Sequence, residues 1–467
     1  MNAAIHGFSS PLLINVLIEL KKQKIIDPKY WIHDCSETPK LKCEKTDLYY
    51  DLYIQNKFKI EDNNPPLDLF DELEPCRFRF MVMNSRHQIH KYPLECVVTR
   101  NIYDDYHLYY RLIHYFYSIL KSKKINLVIF NNFPHEGPDY VLYIVAKALK
   151  VKTLLLYQTI FPNKCLCINN IEDIEMSDKN MPIVSKPIDI NIDTFLQKPF
   201  YMKKTISAET QLDELKNNYT FKEYIKKHKW KLIKFMILGE YKAISSVLNN
   251  RGPGSRITKL KKYIELYKKY ATKKINKNDK YVYFPLHLQP ELSTDTLGDK
   301  YYDQLRPIEE LSGLIPENVK IYVKENPYQW ESHRPIDFFD RLFQIKNVVL
   351  LDHEIDSISL IKNAEFTATI SGTAGWESIL LKKPALIFGL AWYKPLPGIF
   401  HIRNNPTYES ITTTKIDLNL LKKEIASITS KFFDGIFYEA YTANYSSYNE
   451  SNNQKALIDI LRKKIQQ

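Results

Sequence analysis

The stretch from Phe366 to Gly398 constrains the fold more than any other part of the chain. Phe366 to Ile370 is a short run of β-formers and predicts a buried strand. Ser371-Gly372-Thr373 breaks it. Ala374 to Lys382 has good helix formers, with Ile379, Leu380 and Leu381 on an apolar side, and Pro384 is expected to end the helix. Ala385 to Phe388 predicts a second buried strand, closed by Gly389. Strand, tight turn, helix, strand make one βαβ unit, which points to an α/β fold with a parallel sheet.

The turn is where chemistry can sit. A helix that starts right after a glycine-containing turn presents unpaired N–H groups and the positive end of its dipole, which together bind phosphate. Ser371 and Thr373 add hydroxyl donors. Glu377 lies about one and a half turns in, where a carboxylate can accept from ribose hydroxyls. The chain has only 12 glycines, and Gly372, Gly375, Gly389 and Gly398 all fall here. Such clustering suggests backbone that turns tightly or approaches a ligand. The same pattern also suits an ordinary βαβ turn whose glycine serves geometry alone.

The run Ser371-Gly372-Thr373-Ala374-Gly375-Trp376-Glu377, followed by Lys383-Pro384 and Phe388-Gly389, resembles the signature of capsule polysaccharide biosynthesis proteins. That family includes the bacterial Kdo transferases, which use a CMP-activated sugar. The resemblance extends upstream through Tyr283 to Glu291 and Val323 to Pro327, with a weaker echo from Phe133 to Tyr140. It is dense over roughly a quarter of the chain, at the C-terminal side, and sparse before that. It implies a GT-B-like fold, in which two Rossmann-like domains face each other across a cleft. It also implies a nucleotide-sugar donor, a polysaccharide or glycolipid acceptor, and no cofactor beyond the CMP-sugar substrate.

At 467 residues, two domains are the natural expectation. Hydrophobic content of 44% and charged content of 26% are ordinary for a globular protein. The net charge of +12 fits a nucleic-acid binder, a protein at an anionic membrane surface or a binder of anionic substrates. The lysines are dispersed along predicted helices, which favours solvated faces over a nucleic-acid patch. Cys35, Cys43, Cys76, Cys96, Cys165 and Cys167 lack CxxC spacing and read as reduced thiols of a cytoplasmic protein. The most apolar stretch, Tyr140 to Tyr157, is interrupted by Lys147, Lys150 and Lys152, whereas a span needs about 20 apolar residues. The start of the chain lacks the pattern of a signal peptide. The expected location is cytoplasmic, with peripheral contact at the inner membrane surface also compatible.

In chain order, Ala3 to Gly7 predicts a strand, Ser10 an N-cap with Pro11 at the first helical position, and Tyr30 to His33 the next strand. This opening is Rossmann-like but lacks GxGxxG. Residues 35–91 read only as containing a loop at Asn63 to Pro66. Tyr103 to Lys121 predicts a helix, Asn126 to Phe130 a strand, Asp139 to Leu149 a helix and Lys152 to Tyr157 a strand. His135 and Glu136 lie in the loop at that first strand's exit, where open α/β sheets bind ligands; they could equally decorate the loop. Residues 161–205 read as irregular. Glu209 to Leu248 reads as helical, Asn249 to Ser255 as a breaker loop, and Ile257 to Ala271 as an amphipathic helix. The predicted division is an N-terminal acceptor domain over 1–275 with a helical insertion, and a nucleotide-sugar-binding domain over 279–467.

The second domain shows four strands with polar or glycine-rich exits: Tyr281 to Phe284 before His287, Lys320 to Val323 before Lys324, Glu325 and Asn326, Val348 to Leu351 before Asp352 and His353, and Phe366 to Ile370 before Ser371. Parallel topology would gather those exits on one edge. Residues 413–467 read as helical, and the resemblance implies that the last helices cross back to the first domain.

The chain contains no Asp-x-Asp pair, so a metal-independent route is expected. Charge on the leaving phosphate would then be met by backbone N–H groups, hydroxyls and cations. The candidates are Lys324, Asn326, Ser371, Gly372, Thr373, Ala374, Gly375 and Glu377 for the nucleotide sugar, and His135, Glu136 and His287 for catalysis, with no metal ligand. Asn326 stands where the family often has His; Asn cannot act as an acid near neutral pH, and His287 is the nearest alternative. The leading expectation is transfer of Kdo or a similar acid sugar from its CMP form onto a surface glycan. A nucleotide-sugar 2-epimerase and a non-catalytic glycan-binding or assembly protein remain open alternatives, since fold alone does not separate them.

Overall fold

Two sheets of buried, nearly continuous apolar strands organise the chain, as parallel strands covered on both faces require. The computed structural model describes residues 1–34, 41–54, 57–60, 63–90, 102–178, 181–192, 196, 264–276, 278–326, 329 and 337–467. The readings for Glu209 to Leu248 and for the loop at Asn249 to Ser255 lie outside these residues, as do Cys35, Cys96 and Pro327. The described cysteines are free.

The first sheet has the order β13-β6-β5-β4-β1-β2-β3. Strands β1 (Asn2–His6), β2 (Asp27–His33), β3 (Lys45–Leu48), β4 (Leu127–Phe130) and β5 (Lys152–Gln158) run parallel. Strand β6 (Lys164–Ile168) pairs antiparallel with β5, and β13 (Phe433–Asp434) pairs antiparallel with β6. Helix α1 (Pro11–Lys22) is capped by Ser10, whose Oγ accepts from the Leu13 N–H, and it lays Leu13, Val16, Leu17 and Leu20 on the sheet. Helices α2 (Leu67–Leu73), α3 (Arg77–His90), α4 (Ile102–Ser122) and α5 (Pro138–Ala148) pack together in the same half.

The second sheet has the order β12-β11-β10-β7-β8-β9, all parallel. Its strands are β7 (Tyr281–Pro285), β8 (Lys320–Lys324), β9 (Val348–Leu351), β10 (Thr367–Thr369), β11 (Ala385–Ile387) and β12 (Ile399–His401). The helices that position its site are α6 (Leu305–Leu314), α7 (Ser357–Asn363) and α8 (Thr373–Leu380). In each half, the first strand lies beside the fourth-placed strand where chain order reverses: β1 beside β4, and β7 beside β10. This is the Rossmann-like arrangement, with a crevice at the reversal. The fold is GT-B-like: two such halves with their loops facing each other.

The ends of the chain cross the division. Residues 264–270 are helical, and Tyr267 joins the core of the second sheet, its hydroxyl donating to the Leu351 carbonyl at 3.0 Å. After helix α9 (Leu418–Thr429), strand β13 returns to the first sheet. Helix α10 (Glu450–Gln466) then packs on α1, with Leu457 and Leu461 in one cluster with Ala3, Ile5, Val16 and Leu17. The halves also share a core where Phe161 meets Trp376 and Trp392 edge-on. Lys394 bonds Glu175 at 2.6 Å and Arg79 bonds Asp299 at 2.7 Å. Among the described residues, no helix is long and apolar enough to cross a membrane.

Three local readings are corrected. Residues 161–205 are not wholly irregular, because β6 lies there; its five-residue Lys-Cys-Leu-Cys-Ile run is buried throughout. The segment 413–467 is not all helix, because Phe433 and Asp434 pair with Cys165 and Lys164. Helix α8 stops at Leu380, before Pro384: Lys382 adopts a left-handed φ of 60°, and Lys383 N–H bonds back to Ser378 at 2.9 Å.

Because Leu461 is 1% exposed inside the first half's core, Leu461→Ala should cost about 2–5 kcal/mol. Urea unfolding measures this, and an unshifted midpoint would contradict the docking of α10.

Candidate functional site

At the reversal in the second sheet, β10 runs through Ile370 into Ser371-Gly372 and then α8. Gly372 is the N-cap at φ −76°, and no side chain caps the helix. The first-turn N–H groups of Thr373 and Ala374 have no intrahelical partner by position. Gly372 is therefore not there for a left-handed backbone. A Cβ at this position would meet His287 Cε1 at 2.9 Å and Thr369 Oγ1 at 3.0 Å. Gly375 is glycine for the same kind of reason, since a Cβ there would meet the Tyr393 hydroxyl at 2.7 Å. That hydroxyl donates to the Gly372 carbonyl. The Ser371 hydroxyl donates to the Ser293 carbonyl at 2.7 Å, which ties the turn to the loop after β7.

His287 sits under this turn, buried. Its Nε2 is 3.0 Å from Thr369 Oγ1 and 3.3 Å from the Ile370 N–H, and its Nδ1 is 3.3 Å from Ser293 Oγ. Gln304 clamps its backbone, accepting from the His287 N–H at 2.7 Å and donating to the carbonyl at 3.0 Å. Gln329 clamps Gln289 in the same way, its side-chain amide accepting from the Gln289 N–H at 2.9 Å and donating to the Gln289 carbonyl at 3.0 Å.

Lys324, at the exit of β8, donates to the Ile355 carbonyl at 2.5 Å and to Ser357 Oγ at 2.9 Å. Burial lowers its pKa, opposed by the charges of Asp356, Asp352 and Glu377. Glu377 is 2% exposed on α8, so it lies beneath the turn rather than at its rim. Asn326 follows, its N–H bonded to Glu325 Oε1 at 2.8 Å. Asp356 caps α7, accepting from the Ser359 N–H at 2.6 Å. The eight residues expected to meet the nucleotide thus gather at the exits of β8 and β10 and on α8.

On the opposite half, His135 and Glu136 lie at the exit of β4. Asp139 holds their loop: its carboxylate accepts from the His135, Glu136 and Tyr140 N–H groups at 2.8, 2.9 and 2.8 Å. Gly137 takes a left-handed φ of 109° against Asn84, where any side chain would be strained. His135 Nδ1 is 2.7 Å from the Phe133 carbonyl, and its Nε2 is 3.9 Å from Glu136 Oε1. Burial pushes the Glu136 pKa well above the usual carboxylate range, and Asp139, Asp34 and Glu291 push in the same direction. Glu291 belongs to the other half, so the two halves meet here. Thr296 makes the contact direct, donating to the Pro134 carbonyl at 2.5 Å.

Sequence reasoning missed Asp139, Thr369, Gln304, Gln329 and Tyr393. Asp139 alone left a trace, as an acidic residue in the first turn of a predicted helix. The others act through a strand hydroxyl, side-chain amides and a loop phenol, which carry no local pattern.

The model of the family described as capsule polysaccharide biosynthesis protein matches residues 186–457, more than half of the chain. The chain belongs to that family. The matched span contains His287, Lys324, Asn326 and the whole Ser371–Glu377 turn, whereas His135 and Glu136 precede it. No curated protein matches the chain. Among solved structures, this capsule-family chain is similar to the beta Kdo 2,7 transferase of Thermosulfurimonas dismutans KpsC, at 10% identity, covering 78% of this chain and 98% of that one, with a TM-score of 0.33. It is similar to the beta Kdo 2,4 transferase of the same KpsC at 13% identity, covering 72% and 87%, with a TM-score of 0.32. A UDP-GlcNAc 2-epimerase from Methanocaldococcus jannaschii follows at 12% identity, covering 99% of each chain, with a TM-score of 0.24. All three are distant likenesses.

The raised Glu136 pKa has a stability consequence. The native state keeps a proton on Glu136 at pH values where the unfolded chain has lost it, so this group makes stability fall as pH rises above 4.5. Glu136→Gln removes that dependence. The variant's melting temperature should gain on the parent's as the pH is raised above 4.5, and a constant difference in thermal scans would contradict the assignment.

Proposed function

We propose that this chain is a metal-independent glycosyltransferase that moves Kdo or a similar acid sugar from a CMP-activated donor onto a capsule or other surface polysaccharide. The observation that carries the reading is the uncapped first turn of α8, set at the strand-order reversal within the family-matched span. The N–H groups of Thr373 and Ala374 receive the donor phosphate, with the Thr373 hydroxyl beside them. Lys324 and Asn326 approach the nucleotide from the exit of β8. Glu377, buried beneath the turn, does not reach the ribose hydroxyls and instead offsets the charge of Lys324. The acceptor approaches from the first half, where His135 and Glu136 handle its proton. A carboxyl raised above its ordinary range suits proton transfer near neutral pH. The location proposed with this reading is cytoplasmic, with peripheral contact at the inner membrane face where a glycolipid acceptor would be met.

Incubating the purified protein with CMP-Kdo and an acceptor glycan tests this directly, with transfer as the expected result. Interconversion of a UDP-sugar instead would favour the epimerase alternative, and neither reaction would favour a binding or assembly role.

Two further outcomes are expected. Gly372→Val should abolish CMP binding in a folded protein, because the new side chain displaces the turn from His287 and Thr369; unchanged calorimetric affinity would remove the turn from the site. Transfer should proceed at full rate in EDTA, and activity lost in chelator and restored by magnesium or manganese would overturn the metal-independent route.

A further inference from the structure

Hydrogen-bond directions around His287 fix the state of its ring. The Ile370 N–H can only donate, and it points at Nε2 from 3.3 Å. Nε2 therefore carries no proton. The Thr369 hydroxyl, 3.0 Å from the same nitrogen, is then a second donor that shares the Nε2 lone pair with the Ile370 N–H. Its oxygen remains free to accept, and it takes the Gly372 N–H at 3.3 Å. The ring proton must sit on Nδ1, facing Ser293 Oγ at 3.3 Å. Ser293 in turn takes the Ser371 hydroxyl on its carbonyl. The imidazole thus joins both flanks of the turn: Ser293 and Ser371 on one side, Thr369, Ile370 and Gly372 on the other.

We propose that His287 is a positioning residue, a neutral Nδ1–H imidazole that holds the Ile370–Gly372 backbone so that the next N–H groups, of Thr373 and Ala374, face the donor phosphate. The assignment deepens the donor-site reading and rests on it for its functional consequence. It changes what the sequence suggested for this residue. An acid would need a proton turned towards the substrate, whereas this ring spends both nitrogens inside the second half. Gly372 completes the arrangement, because only the lack of a Cβ lets the turn lie against Cε1.

Two readouts separate this proposal from the donor reading itself. The first is the ¹⁵N signals of the His287 ring near neutral pH, which need no ligand. One protonated Nδ1 and one unprotonated Nε2 are expected; a proton on Nε2 overturns the proposal. The second is CMP affinity in a variant pair. His287→Gln places an acceptor at the reach of Nε2, while His287→Asn reaches only as far as Nδ1. The Gln variant should bind CMP within a few-fold of the parent, and the Asn variant should lose about tenfold or more, the scale of one buried hydrogen bond left unmade. Thermal midpoints of both variants report whether each is folded. Equal losses in two folded variants overturn the proposal. Should the parent fail to bind CMP, the donor reading falls, and the ring signals alone decide the state of His287.

Discussion

The constraint on which the rest depends is the reversal of strand order in each sheet. Where β7 lies beside β10, and β1 beside β4, the loops leaving the two strands depart in different directions and leave a crevice between them. No local sequence preference creates that opening. It follows from parallel pairing, which brings residues separated by some eighty positions, such as His287 and Ile370, into hydrogen-bond contact. The candidate residues gather near these two reversals because parallel pairing brings their strand exits to one edge of each sheet.

The two crevices are coupled by a shared apolar core and by contacts at its edge. Phe161, Trp376 and Trp392 pack from opposite halves, and Arg79 and Arg403 both bond Asp299. The β7 exit loop reaches across to the β4 exit loop through Thr296 and Pro134. Proton affinity at Glu136 is thereby raised in part by Glu291 of the other half. The turn that would hold a donor and the loop that would meet an acceptor are thus built from a common set of contacts.

Much of this was legible in the sequence. The four strand exits from β7 to β10, the βαβ unit at 366–388 and the long helix over Ile102–Ser122 follow from apolar runs, breakers and caps read locally. What was not legible depends on distant partners. The role of Asp139 is set by the N–H groups of three neighbours in a loop whose shape Gly137 permits. His287 was visible as a polar residue at a strand exit, but its partners come from Thr369, Ile370, Ser293 and Gln304. The reason for glycine at 372 is likewise non-local: its φ is ordinary, and the requirement comes from the imidazole of His287 in the loop after β7. Strands β6 and β13 escaped because one alternates no polar face, and the other is two residues long.

The most direct measurement is amide ¹⁵N–¹H chemical shift on addition of CMP. The account predicts that the largest changes fall on the N–H groups of Thr373 and Ala374, with smaller ones at Lys324 and Asn326. Changes confined to other parts of the chain, or no changes at saturating CMP, would contradict a nucleotide site at the start of α8.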